Sequence, residues 1–283
     1  MIPVFYSPNQ VVGDHLDSPS AGKPPSVLAS WVEAGFPIQI LEPTPATVDD
    51  FKRVHDPTFV DEILACRAPN GFGTMHKGVA DSLPWTSGSM LSAARYLLAT
   101  GSPVAVSPTS GFHHATYASA MGFCTFNGLM VTVLALRAGG FYGRVGIIDL
   151  DQHYGNGTDD IINRLPMEER SLIKHYTVGA CSLKAWQAHA WLAGLSEFID
   201  KSFGDCHLVL YQAGADPHVE DPYGGYLTTE QLYQRDQIVF RALRKRNVPV
   251  VWNLAGGYQT PLRRVLDIHD NTMRACTEAF IGA

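Results

Sequence analysis

Apolar residues recur along this chain in two rhythms. The runs Val4–Tyr6, Ile38–Leu41, Val104–Ser107, Val145–Leu150, Leu208–Gln212 and Val250–Leu254 are rich in β-branched, aliphatic and aromatic side chains. Several are nearly all apolar, the pattern of strands covered on both faces. Pro249 opens the last run, where a missing ladder donor is tolerated. Between the runs, Ser87–Ala99, Asn127–Arg137, Ala185–Lys201, Thr229–Arg246 and Asp270–Phe280 repeat apolar positions at helical spacing. Thr228 or Thr229, with Glu230 in the first turn, opens the fourth of these. The alternation predicts an α/β fold: one domain over residues 1–283, with a doubly wound, mostly parallel sheet flanked by helices. Sheets of this kind bind ligands in the crevice at the carboxyl ends of their strands. Polar clusters just after strands are therefore the first candidates for function.

Composition narrows the class. The chain has 283 residues, is 46% hydrophobic and carries a net charge of −6, values of a soluble globular protein. Its one basic run, Arg241 to Arg246, closes a predicted helix and reads as a solvated face complementing the helix dipole. A nucleic-acid partner is thus not expected. No apolar stretch approaches a membrane span. The start, MIPVFYSPNQ, lacks a charged leader and an apolar core, so it reads as the first strand rather than a signal peptide. Five scattered cysteines without a CxxC pair suggest neither a disulfide framework nor a cysteine zinc site. A cytoplasmic protein with reduced thiols is the expectation. Oligomeric state is not readable, and a homo-oligomer stays open.

Four clusters follow predicted strands. The first is Asp149-Leu150-Asp151-Gln152-His153-Tyr154-Gly155-Asn156-Gly157-Thr158. Strand alternation puts Asp149, Asp151 and His153 on one side, which makes a hard or borderline metal site. A capping Asp with a hydrogen-bonded His is the plainer alternative. The second cluster, Gln212-Ala213-Gly214-Ala215-Asp216, brings Asp216 to another strand end as a third ligand. Two Asp and one His leave Zn²⁺ an open position for water and a substrate carbonyl. The third, Gly111-Phe112-His113-His114-Ala115, supplies histidines suited to general base and acid work, with Asp149 and Asn156 as available partners. Loop histidines without a role are the alternative there. In the fourth, Leu254-Ala255-Gly256-Gly257-Tyr258, two glycines present a phenol that can stabilise an oxyanion.

Taken in order, these clusters resemble the histone deacetylase superfamily, including its bacterial amidohydrolase and acetylpolyamine amidohydrolase group, on the fold shared by arginases and deacetylases. The resemblance is carried by His113-His114-Ala115, Gly122-Phe123-Cys124, Phe126-Asn127, the run from Asp149 to Thr158, Ala213 to Asp216, and Gly256-Gly257-Tyr258. More weakly it extends to Val54-His55-Asp56-Pro57 with Phe59-Val60. It implies one Zn²⁺ per chain on Asp151, His153 and Asp216. It implies His114 as principal general base and acid, with His113 as electrostatic partner backed by Asp149. Tyr258 would donate to the substrate carbonyl. Phe123, beside Gly122, would wall a tunnel that grips an acylated amine, and Asp149 with the backbone at Asp151 and His153 resembles a structural K⁺ site. The implied reaction is zinc-dependent deacylation of a linear amide such as acetyl-lysine or an acetylpolyamine. An arginase-like hydrolase, or a non-catalytic metal-binding homologue, is the alternative.

The chain departs from the family pattern in several places. Tyr154 stands where many members have a second His, and Asn156 where some have Asp. Lys23-Pro24-Pro25-Ser26 occupies a place where an Arg is usual. About 60 residues separate His153 from Asp216, so the usual second tunnel wall has no clear match. Arg170 to Leu195 takes its place, with Tyr176, Trp186 and Trp191 as aromatic candidates. Glu220 and Asp221 read as shaping the turn that follows Asp216 rather than as an acidic rim.

Overall fold

A computed structural model describes residues 1–12 and 18–282. Seven parallel strands form one sheet: β1 (Ile2–Phe5), β2 (Ile38–Leu41), β3 (Val104–Ser107), β4 (Val145–Asp149), β5 (Ile173–Thr177), β6 (Leu208–Gln212) and β7 (Val250–Asn253). Their order across the sheet is β2-β1-β3-β7-β6-β4-β5, and every pairing is parallel. The helices are α1 (Pro19–Gly22), α2 (Pro24–Glu33), α3 (Val48–Lys52), α4 (Pro57–Leu64), α5 (Lys77–Thr100), α6 (Gly128–Ala138), α7 (Asn156–Arg164), α8 (Met167–Arg170), α9 (Ala188–Phe203), α10 (Thr229–Lys245) and α11 (Arg263–Phe280). Among the described residues, no helix is long and apolar enough to cross a membrane.

Strand alternation divides the core into two. Val104, Val106, Val209, Tyr211, Val250 and Trp252 face one cluster, covered by α2, α9, α10 and α11. Ala105, Ile147, Leu208, Leu210 and Val251 face the other, covered by α3 to α7. Both faces being buried explains the continuous apolar runs of the strands.

All six strands read from the sequence are present, and β5 is additional. Its sequence, Ile-Lys-His-Tyr-Thr, is half polar because β5 is an edge strand, half-buried in its middle. Helix α5 begins ten residues before the expected Ser87. Pro84 breaks the helical pattern there, yet it is accommodated within the helix, and its carbonyl accepts a bond from Ala46 N–H.

Register places the chemistry. Ser107 pairs with Asn253, Asn253 with Gln212, Gln212 with Asp149, and Asp149 with Thr177. Five strands thus end in one row. The loops leaving β3, β4, β6 and β7 carry the four polar clusters, so they emerge side by side above one stretch of sheet edge.

Candidate active site

The three proposed metal ligands converge. Each of Asp151, His153 and Asp216 offers a ligand atom, and these atoms lie within 4.8 Å of one another. His153 Nδ1 is 3.1 Å from Asp151 Oδ1 and 3.1 Å from Asp216 Oδ2. Both carboxylates are buried, and His153 is partly exposed at the mouth. Hydrogen bonds from His153 N–H to Asp151 Oδ1 (2.8 Å) and from Gln152 N–H to Asp216 Oδ1 (3.1 Å) set their orientation. Gly256 has φ +53°, and a Cβ there would strike the Asp216 carboxylate, so only glycine fits.

This donor set fits a small divalent cation. Asp216 Oδ2 is buried and receives no well-aligned hydrogen bond, despite its closeness to His153. A buried anionic oxygen without a donor is costly unless a cation meets it. Burial and the neighbouring Asp151 carboxylate both raise the pKa of Asp216. At Asp151 burial works the same way, but His113 and His153 outweigh it and hold its carboxyl below the usual range. Two Asp oxygens and one imidazole nitrogen match the ligand chemistry of zinc with an open position.

The histidines stand beside this group with different partners. His113 Nδ1 lies 2.7 Å from Asp149 Oδ2, and its Nε2 is 3.6 Å from Asp151 Oδ1. His114 Nδ1 lies 2.6 Å from Asn156 Oδ1. The two rings are 4.1 Å apart, and His114 is 5.9 Å from the His153 ring. Burial would lower the pKa of His113, but Asp149 and Asp151 overcome it and push it up to about 9. His114 is lowered by burial and by His113. Asp149 is fixed in turn: its Oδ1 accepts from Gln212 Nε2 (3.0 Å) and Asp151 N–H (3.2 Å).

Tyr258 and Phe123 complete the pocket. Tyr258 follows two positive-φ glycines, and its N–H donates to Asp221 Oδ2 at 2.8 Å. Burial raises its phenol pKa, so the hydroxyl keeps its proton. Phe123 has φ +62°, an uncommon conformation for a bulky residue, and its ring lies 5.8 Å from Tyr258. Gly122 is needed beside it, because a side chain there would meet the His114 ring. Ser110, His113, His114, Phe123, His153 and Tyr258 are among the residues that line a narrow cavity of about 20 Å³.

Tyr176, Trp186 and Trp191 do not line this cavity. Tyr176 packs on Phe198 and Trp191 on Tyr226, beneath α9, while Trp186 is exposed. Another aromatic, Tyr223, lies nearer, its ring 4.7 Å from Tyr258 and 6.3 Å from His153. Asp221 points inward as the anchor of this turn, bonding Tyr223 N–H as well as Tyr258 N–H, while Glu220 meets Arg264 outside.

Two more side chains support the site from below. Lys23 is fully buried, with Nζ bonded to Ser20 Oγ (3.0 Å) and the Gly256 carbonyl. Burial pushes its pKa down to about 7, against the pull of Asp216, Asp151 and Asp221. Arg235, on α10 and also fully buried, donates from Nη1 to the carbonyls of Leu150 (3.1 Å) and Gly214 (2.7 Å). Its Nε pairs with Asp236 at 2.9 Å. Arg235 and Asp236 interrupt the apolar face marked by Leu232, Val239 and Leu243. Charges on such a face are the signal that could have singled them out.

Known proteins resemble this chain in sequence and in fold. The family profile described as histone deacetylase domain matches residues 21–183, more than half of the chain. That span contains His113, His114, Asp151 and His153, and stops short of Asp216 and Tyr258. The chain is 26% identical over 275 residues to an uncharacterized protein of Picosynechococcus, covering 86% of this chain and 87% of that one. It is 27% identical over 261 residues to histone deacetylase 2 of Arabidopsis thaliana, covering 80% of this chain and 65% of that protein. The crystal structure of acetylpolyamine aminohydrolase from Burkholderia pseudomallei shares the fold. Its TM-score is 0.73 over 98% of this chain and 99% of that one, at 16% identity.

Proposed function

The chain belongs to the histone deacetylase domain family, and from that premise we propose that it is a zinc-dependent amidohydrolase that removes an acyl group from an aliphatic amine. The observation that carries this reading is the shared pocket: Asp151 and His153 of the three metal-type donors, two histidines with separate partners, and a protonated phenol border one narrow cavity, and Asp216 meets those donors within 4.8 Å. In this reading Asp151, His153 and Asp216 hold the ion. Zinc bound there would polarise a carbonyl and acidify water.

The chain's own residues supply the rest. With Asn156 Oδ1 as acceptor, His114 Nδ1 carries its proton, so neutral His114 keeps a lone pair on Nε2 toward the pocket. It takes the proton from the attacking water. His113, charged against Asp149, adds a positive potential where negative charge develops. Tyr258 donates its hydroxyl proton in a hydrogen bond to the carbonyl oxygen as that oxygen becomes anionic. The histidine pair then protonates the departing amine. Phe123 and Tyr223 would flank an aliphatic stem entering from solvent.

The arginase-like alternative needs a second metal. Among the described residues only one such ligand group is found, which favours the mononuclear reading. The test is a panel of acetylated lysine, polyamine and amino-sugar substrates, with elemental analysis of the same preparation. Amine release with one zinc per chain supports the proposal. Two metals per chain would favour the arginase-like reading, and a zinc-loaded protein inert on every amide would favour the non-catalytic one.

A further inference from the structure

His114 is held by an amide, and an amide sets a requirement that a carboxylate does not. A carboxylate offers two like oxygens. The Asn156 side chain offers one acceptor and one donor, and its two orientations differ by exchange of oxygen and nitrogen. With Oδ1 toward His114, the ring carries its proton on Nδ1 and keeps Nε2 free for the pocket. With Nδ2 toward His114, the ring must accept at Nδ1 and carry its proton on Nε2. It then has no lone pair there to take a proton from water. The first orientation therefore needs a group that favours it.

Met121 is that group. Asn156 Nδ2 donates to Met121 Sδ at 3.6 Å, and among the described residues it has no other acceptor. In the reversed orientation Oδ1 and Sδ would meet as two acceptors. Backbone geometry brings the sulfur there. Met121 N–H donates to the Cys124 carbonyl (3.0 Å) and Cys124 N–H to the Met121 carbonyl (2.9 Å), closing a two-residue hairpin. Gly122 and Phe123 between them have φ +54° and +62°, the left-handed pair that such a tight turn demands. Phe123 N–H is tied to the Gly71 carbonyl at 3.0 Å, and Gly122 lies against the His114 ring. One turn thus places Phe123, makes room for His114 and sets Met121 Sδ beside Asn156. Met121 is 47% exposed, so core packing does not account for its place. On the amidohydrolase reading, on which this inference rests, we propose that Met121 is a positioning residue: its sulfur orients the Asn156 amide and so fixes the tautomer in which His114 acts as base.

The experiment uses the zinc-loaded full chain with acetylated lysine as substrate. Met121→Leu keeps the bulk and removes the acceptor, and it is made alone and together with Asn156→Asp. Alone, M121L should lower kcat about three- to tenfold, the contribution of one modest hydrogen bond, with KM unchanged. Beside Asn156→Asp the second carboxylate oxygen makes the sulfur dispensable, so M121L should change kcat by less than about twofold. Equal losses in both backgrounds would make Met121 a packing residue and overturn the proposal, as would an unchanged kcat in M121L alone. Heteronuclear NMR of the zinc-loaded protein, labelled at its histidine nitrogens, reads the tautomer without turnover. The His114 signals are assigned by their loss in H114A. Nδ1–H should dominate in the wild type and in both Asn156→Asp proteins, and Nε2–H should grow in M121L alone. That pattern supports the proposal even if no amide is cleaved, in which case the amidohydrolase reading alone fails. Turnover with the same tautomer in wild type and M121L keeps that reading and overturns the role of Met121.

Discussion

His113 and His114 are adjacent in sequence yet chemically unlike. His113 faces a carboxylate and is held charged, whereas His114 faces an amide and is biased neutral. A neutral imidazole is the one able to accept a proton, which is why the proposed mechanism gives the base role to His114. His114→Ala should therefore lower turnover by about 10² to 10⁴ and leave zinc content as in the wild type. Asp216→Ala should lose both. Steady-state kinetics with elemental analysis separates the two cases; zinc loss in His114→Ala would move that residue into the ligand set. Tyr258→Phe keeps the ring and its packing against Tyr223, so it should lower kcat by about 10² to 10³ with little change in KM. At this scale the polar candidates were legible because they sit at or just after strand ends. Tyr223 was not legible: its closeness to Tyr258 depends on Asp221 binding two backbone N–H groups from different loops.

Elements explain why those residues meet. Leu150 and Gly214 leave β4 and β6 just before Asp151 and Asp216, and one Arg235 guanidinium on α10 holds both carbonyls. Arg235→Lys keeps the charge but offers one ammonium where Nη1 holds both carbonyls and Nε pairs separately with Asp236. It should weaken zinc about 10- to 100-fold while costing little thermal stability, as read by titration against a chromophoric chelator. An unchanged affinity would leave Arg235 a role in folding alone. A second tie joins the approach to α4 with the start of α6. His55 Nδ1 donates to the Thr116 carbonyl at 2.8 Å, and its Nε2 accepts from Asn127 N–H at 3.0 Å. That pattern requires the neutral ring, and burial lowers its pKa to about 4. Below the ordinary value near 6.5 the unfolded chain binds the proton that the folded one refuses. Stability from this group is complete above pH 6.5 and is lost as pH falls toward 4, by about 2 to 3 kcal/mol. His55→Gln removes this slope. Chemical unfolding at pH 7 and pH 4.5 should therefore show the gap between wild type and H55Q shrinking by that amount; a constant gap would mean that the ring protonates in the folded state. Neither tie could be read from periodicity, since each depends on a long-range partner. Strand β5 escaped for the opposite reason: half its side chains are polar, as an edge permits.

The whole molecule brings together what separate segments would keep apart. Asp151 and Asp216 lie 65 positions apart, on loops from neighbouring strands, and folding buries both carboxylates side by side. The sequence shows the sheet, because strands covered on both faces are nearly all apolar. It cannot show that the two carboxylates share one buried site, which depends on sheet order and register. Burial and Asp151 together raise the Asp216 pKa, so the metal-free fold carries a like-charge cost that a bound cation removes. An ion held by these ligands would bind their folded arrangement and not the extended chain, so on the proposed reading zinc should stabilise by mass action, by about 2.7 kcal/mol at a hundredfold excess over Kd. For a chain of this size that corresponds to a chelator-induced fall in Tm of roughly 4 to 5 °C. Asp216→Asn tests the cause. It removes one of the two competing charges at nearly constant shape, so its Tm should not respond to chelator and should be no lower than that of the metal-free wild type. Scanning calorimetry of both proteins with and without chelator makes the comparison. If the wild type melts at the same temperature in both conditions, no cation bridges these strand ends. If the Asp216→Asn variant melts well below the metal-free wild type, the Asp216 carboxylate stabilises the fold through His153, and relief of its charge is not what the ion supplies.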